Sequence, residues 1–147
     1  MPQEPNTMVV DASVVLKWQL NDEECTVQAA ALRDDFFIHG TISIMAPKLL
    51  TYEIANGIVM AARRKRIVTE KALEAISNLL SFGIDYRDVE TIEITGLAIR
   101  YNLTAYDAAY LALAEKENCD LWTGDKTLYQ VLKGRAPRVN WIGDYGS

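Results

Sequence analysis

The sequence predicts an α/β domain built on a parallel sheet with helices over both faces, and three observations carry that prediction. Short runs rich in β-branched residues alternate with longer segments of helical periodicity along the chain. No repeat, low-complexity tract or Gly/Ser-rich linker interrupts the alternation, so residues 1–147 are expected to form a single domain. At 147 residues, half of them apolar and 24% charged, a chain of this size buries roughly 70% of its unfolded surface in one core.

Taken in order, residues 7–10 (TMVV) read as a buried strand ending at Asp11, with residues 1–6 as a flexible extension before it. Residues 13–20 read as a short helix and 23–37 as a longer amphipathic one. Residues 42–46 (ISIMA) form the second strand. Pro47 then suits the first position of a helix, where a missing N–H is no loss, and that helix runs to about Arg66. Thr69 is a good N-cap for a helix ending near Gly83. Residues 84–86 are a weak strand and 89–101 a helix. Thr104 caps a helix reaching to 118, 120–123 is a strand, 126–133 a short helix, and 139–142 the closing strand. Strands joined through helices imply right-handed crossovers. In such sheets ligands bind at the carboxyl ends of the strands, near the point where strand order reverses. Residues just after strands are therefore the ones to weigh for function.

Composition narrows the classes. Cys25 and Cys119 stand far apart without C-x-x-C spacing and read as reduced thiols of a cytosolic protein. The start, MPQEPNT, has neither a basic n-region nor an apolar h-region, which predicts no signal peptide. No apolar stretch approaches the ~20 residues that span a bilayer, so no membrane partner is expected. The net charge of −5 argues against nucleic acid, because such domains usually carry a basic surface. Two divalent cations on four of the acids would offset four of those five negative charges. The bases are also unevenly spread, with Arg63-Arg64-Lys65-Arg66 in one run and Lys126, Lys133, Arg135 and Arg138 near the C-terminal end.

Four acids stand out. Asp11 ends the first strand, and an N-cap of the following helix explains it about equally well. Glu53 falls among Leu49, Leu50, Gly57 and Met60 on its helix, inside the apolar stripe. A carboxylate there loses hydration and needs a cation, a donor or a proton. Asn56, three residues on, faces nearly the same way and is placed to orient it. Asp107 lies near the start of an apolar run, YDAAYLALA, where Thr104-x-x-Asp107 is also a capping-box variant. Asp125 follows a strand and a glycine in LWTGD and equally suits an N-cap. Ser13 and Thr123 are plausible supporting hydroxyls. Each acid singly has a structural explanation; together they fall where a parallel sheet converges. Unpaired carboxylates at close range raise one another's pKa. A hard cation with oxygen ligands relieves that repulsion, and a pair of such ions activates water against a phosphodiester.

The segments VVDASVVLKW, APKLLTYEIANGI, LTAYDAAYLALA and LWTGDKTL, in this order and spacing, resemble the four motifs of the PIN domain, most of all those of the VapC toxins of toxin–antitoxin pairs. The resemblance spans Met8 to Ile142. It implies a three-layer α/β/α sandwich with a five-stranded parallel sheet and an Mg²⁺- or Mn²⁺-dependent endoribonuclease. By motif position, it implies that Asp11, Glu53, Asp107 and Asp125 are the catalytic, metal-binding acids, with Ser13, Asn56 and Thr123 supporting them. It further implies an RNA substrate, a homodimer and a cognate antitoxin. The same fold serves RNA processing, so a nuclease that is not a toxin stays open.

Other residues weigh less. His39, the only histidine, reads as a helix C-terminal residue interacting with the dipole, and its solitude excludes a paired-histidine ribonuclease. Arg63–Arg66 reads as a solvated helix end, and Trp122 as packing. Trp18 and the helix around 49–60 suggest apolar surface for a partner. The chief rival is an Mg²⁺-binding receiver of flavodoxin-like shape. That fold calls for adjacent acids after the first strand and a lysine after a late one; here Asp11 has no acidic neighbour and Asp125 occupies the lysine's place. A pure interaction module, with the acids serving only as caps, is the other rival. Metal binding and RNA cleavage discriminate among the three.

Overall fold

A computed structural model describes residues 5–147. Of the expected N-terminal extension, residues 1–4 lie outside the described residues. Asn6 does not belong to an extension, because it opens the first strand and its N–H donates to the Thr41 carbonyl at 3.2 Å.

The elements in chain order are β1 (Asn6–Val10), α1 (Ala12–Leu16), α2 (Thr26–Phe37), β2 (Ile42–Pro47), α3 (Leu49–Arg63), α4 (Thr69–Leu80), β3 (Asp85–Arg87), α5 (Thr91–Tyr101), α6 (Ala105–Glu117), β4 (Asp120–Thr123), α7 (Lys126–Leu132) and β5 (Val139–Trp141). All five strands pair in parallel, in the order β3-β2-β1-β4-β5. The chain starts in the middle, winds outward through β2 and β3, then returns across β1 to β4 and β5. Right-handed crossovers place α1–α4 on one face and α5–α7 on the other. Packing follows that division, with α3 against α1 and α4, and α5 against α6. This is the three-layer sandwich expected.

Burial explains the central elements. Val9 and Val10 of β1 and Leu121 of β4 are fully buried, as parallel strands covered on both faces require. In α6 every residue from Ala108 to Ala114 is buried, because one side meets β1, β2 and β4 and the other meets α5. An all-round apolar helix thus carries Asp107, itself half-buried, in its first turn.

Several boundaries depart from expectation for local reasons. Pro47 ends β2 rather than opening α3; β1 is in register only as far as Val9 opposite Met45, so the missing N–H leaves no β1 ladder bond unmade. Val68, not Thr69, is the N-cap of α4, with extended backbone and no side-chain cap bond. α2 starts at Thr26 rather than residue 23, since Cys25 adopts a left-handed φ of 60° that no helix can run through. Trp18 is core rather than partner-facing. It is 5% exposed, and its indole N–H donates to the Ala29 carbonyl at 3.0 Å. Arg66 is not simply solvated; it clasps Asp22 at 2.7 and 2.8 Å, tying the loop before α2 to the end of α3.

Candidate active site

The strand order reverses between β1 and β4, at the centre of the sheet. Val10 stands opposite Trp122, so the next residues, Asp11 and Thr123, face each other at the carboxyl ends. Thr123 is fully buried and its hydroxyl donates to Asp11 Oδ2 at 2.5 Å. The Ser13 hydroxyl donates to Asp11 Oδ1. Each hydroxyl has one proton, and both are spent on Asp11. As acceptors, Ser13 Oγ takes the Gly124 N–H at 2.7 Å and Thr123 Oγ1 takes the Asp125 N–H at 3.1 Å. The turn after β4 therefore donates to two hydroxyls, and the hydroxyls donate to one carboxylate. Asp11 is also the N-cap of α1, with a longer bond from Val14 N–H at 3.4 Å. Burial nonetheless pushes its carboxyl up to about 6, against the hydroxyl and backbone donors that lower it, and the charge of Asp125 adds to the rise.

Glu53 reaches the crevice from α3, whose buried stripe is Leu50, Ile54, Ile58 and Ala61. It borders that stripe and is half-buried. The Tyr110 hydroxyl on α6 donates to Glu53 Oε1 at 2.5 Å. Asn56 does not orient Glu53 as expected: it is exposed and, among the described residues, makes no side-chain hydrogen bond, because one further step around the helix carries it past the edge of the stripe. Burial raises the Glu53 carboxyl, Tyr110 opposes that, and Asp107 adds to it. Asp107 is the third residue of α6. Its N–H donates to the Thr104 hydroxyl at 3.1 Å, so Thr104 is the cap the sequence predicts. Burial and Asp125 raise its carboxyl, and Thr104 lowers it. Asp125 caps α7 by accepting the Leu128 N–H at 3.1 Å.

The four acids thus act on one another in a chain, Asp11 with Asp125, Asp125 with Asp107, and Asp107 with Glu53. Tyr110 senses three of them: burial, then Glu53, Asp11 and Asp107, drive its phenol well above the ordinary range and keep it protonated. Among the described residues, no lysine, arginine or histidine forms an ion pair with any of the four. His39 lies elsewhere, 3.0 Å from Asp35 at the end of α2. Among the described residues no three acids stand at the spacing of one preformed ion cage. The donor set is nevertheless oxygen-only, and Mg²⁺ usually takes one or two carboxylates plus waters, so the residues fit such ions without closing on one together.

Two residues of this region were missed in the sequence. Tyr110 lies three residues after Asp107 on a helix too apolar to leave a phenol without a partner, and that was its signal. Lys17, the C-cap residue just after α1, carried no sequence signal.

A PIN domain family model matches residues 8–133, most of the chain, and the chain belongs to the PIN domain family. It is 33% identical over 130 residues to the VapC ribonuclease Mb0985 of Mycobacterium bovis, covering 88% of this chain and 94% of that one. Ribonuclease VapC3 of Pyrobaculum aerophilum is 30% identical over 125 residues, covering 82% and 91%. The crystal structure of PAE2754 from Pyrobaculum aerophilum superposes with a TM-score of 0.67 at 25% identity, covering 94% of this chain and 92% of that one. Among the described residues no helix is long and apolar enough to cross a membrane.

Proposed function

We propose that this protein is an Mg²⁺- or Mn²⁺-dependent endoribonuclease, the toxin of a toxin–antitoxin pair, with Asp11, Glu53, Asp107 and Asp125 as its metal-binding catalytic acids. One observation carries the reading: four carboxylates, linked pairwise in a chain of repulsions, lie around the point where the strand order reverses, with hydroxyl donors and, among the described residues, no basic partner. The VapC ribonucleases among its relatives support the substrate class and the toxin role.

Divalent ions, when bound there, supply a water of lowered pKa and stabilise negative charge on phosphodiester oxygens. The chain's own work is positional. Ser13 and Thr123 hold both Asp11 oxygens toward the crevice, while Tyr110 fixes one Glu53 oxygen and leaves the other free. Tyr110 stays protonated and serves as a donor, not as a base. Water in line with the phosphorus leaves 5′-phosphate and 3′-hydroxyl ends, and neither His39 nor the cysteines take part.

Incubating the protein with mixed RNAs tests this. Cleavage is expected with Mn²⁺, lost in EDTA, and cut by orders of magnitude when any one of the four acids becomes its amide, with His39→Ala nearly silent. Metal-independent cleavage, or 2′,3′-cyclic phosphate ends, would refute the mechanism. The same reading includes a homodimer, supported by the exposed apolar residues Tyr52 and Val59 on α3; light scattering showing a monomer at micromolar concentration would remove it.

A further inference from the structure

Among the described residues the buried polar side chains are Asp11, Thr123 and Lys17. The first two bond to each other, but Lys17 is 8% exposed and its ammonium has neither a hydrogen bond nor an ion-pair partner. That burial belongs to the stem: the ammonium is not among the fully buried unpartnered polar atoms, so an apolar-packed stem carries an unpaired charge to the surface. A second feature concerns the route of its stem. A Cβ added at Gly124 would stand 2.6 Å from Lys17 Cε and 3.4 Å from its Nζ. Gly124 is not among the glycines with positive φ, so glycine is needed here for space rather than for backbone conformation. The bare backbone between Thr123 and Asp125 is the bed across which Lys17 passes.

Beyond that bed lies a cavity of about 440 Å³, whose charged lining is two lysines, Lys17 and Lys126, and four acids, Asp22, Glu23, Glu24 and Asp125. Its other lysine is engaged, and so are three of its four acids. Lys126 pairs with Glu24 at 2.8 Å, and Arg66 holds Asp22 and Glu23. Glu24 feels the charge of Lys17 but spends its bond on Lys126. Lys17 is left as the cavity's one unengaged cation among the described residues, and Asp125 is the wall shared with the acidic crevice.

We propose that Lys17 is an RNA-binding residue whose ammonium takes a phosphate oxygen of single-stranded RNA next to the phosphodiester held at the four carboxylates. A strand lying across Asp125 passes from the crevice directly into this cavity. An ammonium is a compact point charge suited to phosphate, and binding would give this unpaired charge a partner. The inference rests on the ribonuclease reading above.

The test is steady-state cleavage of a labelled single-stranded RNA oligonucleotide in Mn²⁺ over a range of KCl, comparing wild type with Lys17→Met, Lys17→Gln and Lys17→Arg. Losing one charged contact is expected to raise KM about tenfold in the Met and Gln variants, with kcat little changed. One fewer phosphate contact should make log(kcat/KM) against log[KCl] shallower by about 0.7. Lys17→Arg should keep the wild-type slope. Thermal melts identify a variant that does not fold, and the Gln variant repeats the test if the Met variant is the one that fails. Folded variants with wild-type KM and slope, or with a loss confined to kcat, overturn the assignment while the ribonuclease reading stands. A wild type that leaves the probe intact in Mn²⁺ overturns both.

Discussion

The acids of this protein fall into two groups that differ in company rather than chemistry. At the rim, Asp22 is lowered by its bonds to Arg66, Glu24 by Lys126, and Asp35 by Tyr145 and His39. In the crevice, Asp11, Glu53 and Asp107 are all raised, with burial the largest cause. Ser13, Thr123 and Tyr110 donate to two of these carboxylates and Thr104 caps the helix that carries the third, and none of them neutralises a charge. The rim acids are complete within the chain. The crevice acids are held in place but, among the described residues, have no basic partner, and under the proposed function a cation from outside would supply that charge.

That contrast can be broken most sharply by pH. Asp11 ordinarily titrates at 3.8 and is raised to about 6, so between those values the folded protein binds more protons than the unfolded chain. Its ionisation disfavours the folded state at neutral pH by roughly 3 kcal/mol, and that penalty is relieved as pH falls from about 6 toward 4. The lowered rim acids work oppositely, and their contribution is lost only once pH falls below their unfolded values. Urea unfolding in EDTA should therefore show greater stability near pH 5 than at pH 7. A steady decline over that window would place the crevice acids with those of the rim.

Metal should reverse the order. Saturating Mn²⁺ at about a hundred times its Kd would stabilise the native state by about 2.7 kcal/mol. Asp107→Asn should melt higher than wild type in EDTA and lose most of its response to Mn²⁺; equal melts in EDTA would remove the repulsion from the account. A smaller effect is expected from Tyr110→Phe, which deprives Glu53 of its one direct donor among the described residues. A loss of about 1–2 kcal/mol, with the acid limb of RNA cleavage moved to higher pH, fits a positioning role. An unchanged limb would make the phenol mere packing. Smallest of all should be Arg87→Ala at the rim, since exposed ion pairs contribute little; its melt and cleavage rate should match wild type.

The sequence carried the outline because outline depends on local pattern. Alternating strands and helices, with Val9, Val10 and Leu121 apolar throughout, define a buried parallel sheet, and the acids that follow its strands could be read from position alone. The hydroxyls of Ser13 and Thr123 were also visible, since each lies within two residues of a site acid. What escaped were pairings made across the chain. Glu53 finds Tyr110 at a separation of 57 residues, and helical spacing offered Asn56 instead. Lys17 over Gly124 joins opposite ends of the sequence, and neither residue hints at the other. Trp18 looked like a partner surface until α2 folded over it and took its N–H.

If the crevice is a cation site made by four acids, as proposed, equilibrium Mn²⁺ binding will register each of them. Free Mn²⁺ followed by paramagnetic resonance, titrated into the wild type and into Asp11→Asn, Glu53→Gln, Asp107→Asn and Asp125→Asn, should show binding to the wild type and marked weakening in every variant. Rim control Asp85→Asn should bind as wild type does. No Mn²⁺ bound by the wild type, or equal binding by all four crevice variants, would contradict the account.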